Sequence, residues 1–347
     1  MASSERDPFA PDRILVTGGL GFIGSHLVRA LLDARPESQV VNLDLETYAA
    51  DWSRLEDLKG QPRLQHVRGD VADAPLVAQL LGDFRIQAVL HLAAETHVDR
   101  SIADAAPFVR TNVLGTQTLL EGARRVWVGQ EGVRFVHVST DEVFGDLGPE
   151  DPPFTEGSPY APSSPYSASK AAADHFVAAA WRTHGIPALV VHPSNAFGPG
   201  QHAEKFLPTL VRTATAGREV PIYGSGRQVR DWMHVGDLVA ALLRILDRGR
   251  PGERYLVGAG NEWENLALAQ EVMAILDRLS PGGAPHARHL VRVADRPGHD
   301  RRYAVNASRL RRELGWSPAR RFEQALEETI TWFVGRAPGG FAPPGGP

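Results

Sequence analysis

Two neighbouring acids, Asp141 and Glu142, follow directly on the apolar run that ends in Ser139–Thr140, within VSTDEVFGDL. Adjacent residues on a strand point to opposite faces, so an acid pair packs badly there if the strand continues. Either the segment is a surface turn, or two carboxyls are aimed at one small molecule. A second pair, Tyr166 and Lys170 in SSPYSASKAAADH, stands four residues apart at the start of a helical pattern, hence on one face. A phenol with a reference pKa near ~10 is a poor base at neutral pH, and a nearby ammonium stabilises its phenolate. Such a tyrosine can take a proton from a substrate hydroxyl. Lys59, Lys170 and Lys205 are the only lysines among 37 basic residues, the other 34 (37 − 3) being arginine. In a chain that writes arginine almost wherever a cation will serve, a retained lysine points to a need for an amine.

The glycines of RILVTGGLGFIGSHL supply a partner for that tyrosine. Gly18, Gly21 and Gly24 fall between a predicted strand and a predicted helix, where glycine permits the tight turn and the approach of a pyrophosphate to the helix N-terminus. Asp44 closes the second predicted strand, twenty residues after Gly24. An acid there bonds the adenosine ribose hydroxyls and repels a 2′-phosphate, which favours NAD over NADP. With a nicotinamide in place, hydride can leave the carbon whose hydroxyl Tyr166 deprotonates. Asp70–Val71 and Leu92, Ala93 and Ala94 stand where the next strands end, the edge at which open α/β sheets bind ligands. Val71 could frame the adenine or be ordinary core. Phe22 and Ile23 of the turn, together with Thr47 and Thr111, complete the expected cofactor shell, which Tyr166 and Lys170 share.

The elements that must position these residues are legible as alternating patterns. Nearly all-apolar runs at 13–18, 39–44, 88–93, 134–140 and 188–193 read as strands buried on both faces. Helical patterns occupy 22–34, 74–82, 107–126 and 165–184. The alternation predicts an α/β, Rossmann-type, doubly wound parallel sheet with a smaller C-terminal substrate-binding lobe. We expect the NAD-binding domain over 13–193, with 230–260 returning to it, and the substrate lobe mainly over 194–334, with Gly/Pro-rich joints at 198–201, 221–226 and 280–285. Residues 1–12 and 335–347 read as flexible tails.

Composition narrows the class. A formal charge of −4 gives no electrostatic case for nucleic acid or an anionic membrane. With no cysteine there is no disulfide, thiolate nucleophile or cysteine metal site, and no metal is expected. No apolar run approaches the ~20 residues of a membrane span, and the first residues lack a signal-peptide pattern. A cytoplasmic protein is the expectation.

Six segments in order, TGGLGFIGSH, HLAAETHVDRSI, STDEVFGD, YSASK, PIYGSGRQVRDW and VADRPGHDRRY, resemble the nucleotide-sugar branch of the extended short-chain dehydrogenases. Within it they are most similar to the dTDP-glucose 4,6-dehydratases, over about residues 13–333. The resemblance implies that NAD oxidises C4 of the hexose, water is lost across C5 and C6, and the hydride returns to C6. It implies Asp141 as the acid for the departing hydroxyl, Glu142 as the base at C5, and Thr140 at the C4 oxygen. Two close carboxyls resist simultaneous ionisation, so one can stay protonated.

Arg230, Arg296 and His299 suit a diphosphate. By resemblance Pro221 and Tyr223 frame the nucleobase, while Thr96, Asn195, Lys205, Phe206, Asn265 and Tyr303 also meet the nucleotide sugar. The chain departs from the family at Ala196, Phe197, Phe144 and Phe206, where Asn, Tyr, Tyr and Leu are common; Ala196 is left out of the expected site. The same fold also serves UDP-sugar 4,6-dehydratases, 4-epimerases and, without catalysis, NAD sensors. The helices 107–126 and 165–184 imply a homodimer in this family.

Overall fold

The computed structural model describes residues 8–336; of the two expected tails, 1–7 and 337–347 lie outside the described residues. Residues 8–12 are held, not loose. The Phe9 amide donates to the Asp247 carbonyl (2.9 Å), the Arg134 guanidinium lies 4.7 Å from the Phe9 ring, and the Asp12 amide donates to Gln87 Oε1 (2.7 Å).

The strands in chain order are β1 (Arg13–Thr17), β2 (Gln39–Asp44), β3 (Leu64–Arg68), β4 (Ala88–His91), β5 (Arg134–Val138), β6 (Ala188–Pro193), β7 (Asn195–Phe197), β8 (Val220–Tyr223), β9 (Val229–His234), β10 (Arg254–Val257), β11 (Glu262–Glu264) and β12 (Leu290–Val293). Seven of them form one sheet in the order β10-β6-β5-β4-β1-β2-β3, and every neighbouring pair is parallel. The order reverses between β1 and β4, and it is at such a reversal that the strand ends leave a crevice for a ligand. The apolar runs are apolar on both sides because both faces are covered. Ile14, Val16, Leu90 and Val136 pack into one core with the helices Phe22–Ala34 and Val235–Arg248, while Leu15, Val89 and Phe135 pack into the other with Ala74–Asp83 and Gly115–Val126.

The sequence reading passes over β3 because it is a half-exposed edge strand in which polar residues interrupt the apolar ones. Within 230–260, where a return to the main sheet is expected, Val235–Arg248 packs on that sheet and β10 is its edge strand, while β9 lies in another sheet. It pairs in parallel with β7 and antiparallel with β11, and a further parallel pair joins β8 to β12. These strands and the helices Phe206–Thr215, Asn265–Leu279 and Phe322–Val334 enclose a separate core of Phe197, Leu210, Ile222, Trp232, Val272 and Ile330. Phe144, Phe154, Leu256 and Tyr303 form a smaller cluster.

The helix Pro165–His184 fixes Tyr166 and Lys170. Ser164 caps it by accepting from the Ser167 amide (3.1 Å), and Ser167 Oγ accepts from the Ser164 amide (3.0 Å), a reciprocal capping box with Pro165 just inside the start. Gly185, at φ 67°, ends the helix in the left-handed conformation. Replacing Ser164 by Ala should therefore lower the unfolding free energy by about 1 kcal/mol. Urea denaturation would show this as a lower midpoint with an unchanged slope.

Candidate active site

Strand β5 stops at Val138, two residues short of the expected end, and that stop decides how the two acids are presented. Ser139 and Thr140 lead into a single 3₁₀ turn, Asp141–Phe144, capped by Thr140, whose Oγ1 accepts from the Glu142 amide at 3.3 Å. In a 3₁₀ turn successive side chains are about 120° apart, whereas a strand would hold them about 180° apart. Both acids consequently border one cleft, together with Thr140, Tyr166 and Lys170. Asp141 is only 2% exposed and its Oδ2 has no hydrogen-bond partner among the described residues. Burial, with the Glu142 charge beside it, pushes the Asp141 carboxyl up to about 8, so it is protonated at neutral pH. Burial raises Glu142 as well, but Arg230, Arg296 and Lys205 pull it back. The two acids thus face unequal surroundings: Arg230 acts on both, while Arg296 and Lys205 act on Glu142 as well.

The cleft, about 320 Å³, runs from this turn along the carboxyl ends of the strands to the glycine turn. Every residue of the expected cofactor shell lines it: Gly18, Gly21, Phe22, Ile23, Gly24, Asp44, Thr47, Asp70, Val71, Leu92, Ala93, Ala94, Thr111, Tyr166 and Lys170. Gly18 sits at φ +74°, and a Cβ on it would lie 2.8 Å from the Ala93 amide nitrogen; one on Gly24 would lie 2.1 Å from the Gly18 carbonyl oxygen. The turn is shaped by the absence of side chains. Asp44 pins it, Oδ2 accepting from the Leu20 amide (2.9 Å) and Oδ1 from the Glu46 amide (2.8 Å). Asn42, which the sequence reading did not single out, accepts from the Gly19 amide at 2.9 Å. Asn195 Oδ1 and Gln201 Oε1, both at the cleft, are buried oxygens without partners among the described residues. A long polar ligand with hydroxyl donors, as a dinucleotide is, fits this lining.

Tyr166 is 7% exposed, and in the chain alone the balance runs against the expected easy ionisation. Burial and the Glu142 and Asp141 charges raise the phenol well above its ordinary value, with a hydrogen bond from Thr140 working the other way. Lys170 is buried too; its Nζ donates to the Val138 carbonyl (2.8 Å), and burial lowers the amine to about 8. The Tyr166 amide donates to Ser101 Oγ (3.1 Å). Asn112, fully buried, accepts from the Glu95 amide (2.9 Å) and donates to Ser169 Oγ (2.8 Å), tying the loop after β4 to the helix Pro165–His184. It lies in a π-helical stretch, Val109–Leu114, a local geometry that is frequent at functional sites and that side-chain periodicity does not reveal.

Of the expected substrate contacts, Thr96, Thr140, Asn195 and Lys205 line the cleft, and Lys205 Nζ donates to Thr96 Oγ1 at 3.3 Å. Pro221, Tyr223, Asn265, Arg230, Arg296, His299, Tyr303 and Phe206 do not line it. Arg230 is buried over the Tyr303 ring (4.1 Å) and donates to the Asp300 carbonyl (3.0 Å), and its charge reaches Glu142. Arg296 lies 3.7 Å from Asp99, His299 is paired with Asp295 (2.6 Å), and Tyr223 faces His299 edge-on (6.4 Å). Asn265 opens its helix beside Gln228 (2.9 Å), while Phe206 stacks on Trp232 (6.0 Å) as part of the lobe's packing. Ala196, set aside in the sequence reading, does line the cleft, as do Glu95, Ser194, Gln201, His202 and Glu204. Among the described residues no group of three His, Cys, Asp or Glu is placed to hold a metal ion, and no helix is long and apolar enough to cross a membrane.

Residues 15–329 match the family described as GDP-mannose 4,6 dehydratase. The chain is 45% identical over 330 residues to the dTDP-glucose 4,6-dehydratase of Haemophilus influenzae, covering 92% of this chain and 97% of that one. It is 47% identical over 328 residues to that of Xanthomonas campestris pv. campestris, covering 92% of each. Among solved structures it is similar to a dTDP-glucose 4,6-dehydratase from Streptomyces venezuelae with NAD bound, at TM-score 0.85 and 43% identity, covering 93% of this chain and 97% of that one.

The raised Asp141 carboxyl carries a stability signature. The folded chain holds that proton up to about pH 8, whereas an unfolded aspartate loses it near its ordinary value of 3.8. Stability therefore falls as pH rises between those two values and is level above them. Asp141→Asn should be neutral near pH 4 and increasingly stabilising up to pH 8, by a few kcal/mol on the order of the linkage. Denaturant midpoints measured across that range would show it, and a gain that did not depend on pH would place the acid elsewhere than in a dry site.

Proposed function

The chain belongs to the family described as GDP-mannose 4,6 dehydratase, and within it to the dTDP-glucose 4,6-dehydratases; on that footing we propose that it converts dTDP-glucose to dTDP-4-keto-6-deoxyglucose and water. The observation that carries the reading is the unequal acid pair, Asp141 and Glu142, on one turn of the cleft that also holds Tyr166 and the glycine turn.

NAD, when bound along the glycine turn and Asp44, supplies the acceptor that holds the C4 hydride until it is returned at C6. Tyr166 takes the C4 hydroxyl proton, with Thr140 bonding the same oxygen. Because burial and two acids oppose its ionisation, the phenolate depends on positive charge nearby, and Lys170 contributes it. The C4 ketone acidifies the C5 hydrogen, which Glu142 removes. Asp141, neutral at pH 7, gives its proton to the C6 oxygen, which leaves as water. Glu142 then returns its proton to C5. One turnover leaves a proton gained at Tyr166 and one lost at Asp141, so the site resets by a net transfer of one proton between them. Thr140 stands between the two, its Oγ1 3.3 Å from Asp141 Oδ1. A 4-epimerase needs only C4 chemistry and has no use for two carboxyls beside C5 and C6.

For the second lobe we propose that Arg230, Arg296 and His299 take the diphosphate and that Pro221 and Tyr223 frame the base. Glu142 already feels Arg230 and Arg296, which supports a diphosphate adjoining the acid pair. We also propose a homodimer formed through the helices at 106–126 and 165–184, supported by the exposed Val109, Leu114, Phe176 and Trp181.

Offered dTDP-glucose and UDP-glucose side by side, the protein should form the alkali-detected 4-keto-6-deoxy product from the thymidine nucleotide; turnover of neither would overturn the assignment. In Glu142→Gln, C4 oxidation should persist, seen as the near-ultraviolet band of the reduced cofactor, while dehydration falls about a hundredfold or more. Light scattering should give twice the chain mass, and the chain mass alone would refute the dimer.

A further inference from the structure

Behind Lys170, away from the substrate side, lies a set of buried polar groups that the reaction as described does not use. Asp174 is 1% exposed and four residues beyond Lys170, so Tyr166, Lys170 and Asp174 share one stripe of the helix Pro165–His184. Its Oδ2 accepts from Ser139 Oγ (2.8 Å) and His192 Nε2 (3.0 Å). Its Oδ1 faces His137 Nε2 at 3.4 Å, and the same nitrogen lies 3.4 Å from Lys170 Nζ. That ring nitrogen can accept from the ammonium or donate to the carboxylate, and a neutral imidazole does one at a time.

We propose that Asp174 is a positioning residue for this reaction: it is the buried counter-charge that, across the His137 ring, keeps the Lys170 side chain an ammonium. The inference rests on the dehydratase reading for its purpose but not for its physics. An ammonium this deep in the protein loses its hydration and is driven neutral unless an anion compensates. Among the described residues Lys170 has no carboxylate in hydrogen-bond contact; its partners are the Val138 carbonyl and the His137 imidazole. Asp174 is the group that raises it against burial.

The other charged and titratable neighbours do not take over that task. His137 on β5 is pushed down to about 4 by burial and by Lys170, and His91 on β4 is lowered by burial and by its neighbours His137 and Lys170. Both rings are therefore neutral at pH 7. From β6, His192 donates to Asp174 and stands 3.4 Å from the Tyr160 hydroxyl; Arg254 on β10 lies 5.2 Å over the Tyr160 ring. On the substrate side Tyr166 is uncharged in the chain alone, being raised by burial. Low permittivity lets the Asp174 charge act across one imidazole more strongly than it would in water. The carboxylate is itself held ionised, most of all by His192 and His137, against the cost of burial.

Because the chain has three lysines, ¹³C labelling at lysine Cε gives three resonances whose titrations read each amine directly. The NAD-loaded protein without substrate should show Lys170 charged at pH 7, with a midpoint about 8. In Asp174→Asn the Lys170 midpoint should fall by about one pH unit or more while Lys59 is unmoved. Ser139→Ala, which removes a hydrogen bond but no charge, should leave it in place.

In steady state, Asp174→Asn should move the alkaline limb of kcat, where the Lys170 ammonium is lost, to lower pH by as much as the resonance moves, losing about tenfold on that limb for each unit. A purely structural role would instead lower kcat evenly at all pH values. An unmoved Lys170 resonance in folded Asp174→Asn overturns the proposal. If that variant does not fold, Lys170 found neutral at pH 7 in the parent protein overturns it equally. A shift seen in a protein that turns over neither nucleotide-glucose would leave this inference standing and remove the dehydratase reading.

Discussion

Strand β5 has to end where it does. Had it run on through Glu142, the alternation of a strand would have sent Asp141 and Glu142 to opposite faces of the sheet. Instead the last strand carbonyl, Val138, receives Lys170, the next hydroxyl, Ser139, turns back to Asp174, and Thr140 caps the turn that carries both acids. The same few residues hold the amine on one side and the carboxyls on the other. The parallel sheet, the reversal of strand order and the capped helix bring Tyr166 to that point, and the second lobe brings cations toward Glu142 from across the cleft.

The site gains its chemistry by spending stability. A protonated aspartate in a dry wall, a phenol raised by two acids and a lysine lowered by burial are each unfavourable to fold around. They are tolerated because the surroundings are overdetermined: fully buried strands on either side, a reciprocal cap on the helix and the Asn112 bridge between loop and helix. The unequal treatment of two adjacent carboxyls follows from local structure alone. At Asp141 burial and the Glu142 charge outweigh the pull of Arg230, whereas Glu142 is pulled back by Arg230, Arg296 and Lys205.

Much of this was legible in the residues. The glycine turn, Asp44 and the fully apolar runs announce a parallel dinucleotide-binding sheet because burial on both faces leaves no room for alternation. Tyr166 and Lys170 were visible through their spacing and through lysine's rarity in this chain. Asp174 obeyed the same spacing of four and could have been read from it, but an acid on a helix is so often a solvated one that the pattern alone says little. Asn112 and the π-helical stretch around it were not readable, since a change of helical pitch leaves no mark in an apolar count. The edge strand β3 was missed because its half-exposed residues dilute the apolar signal. In the second lobe the residue types pointed to a diphosphate, but distance along the chain could not say which would reach the cleft. Phe206, for one, is drawn into the lobe's packing by Trp232.

The scarcity of lysine has a practical side. Lys170 is buried and Lys205 is half-buried against Thr96, so of the side-chain amines only Lys59 stands exposed, on the loop before β3 and outside the cleft lining. Succinimidyl dyes or an amine-coupled surface will therefore meet this molecule's side chains at one defined place. A label carried at Lys59 leaves the cleft open.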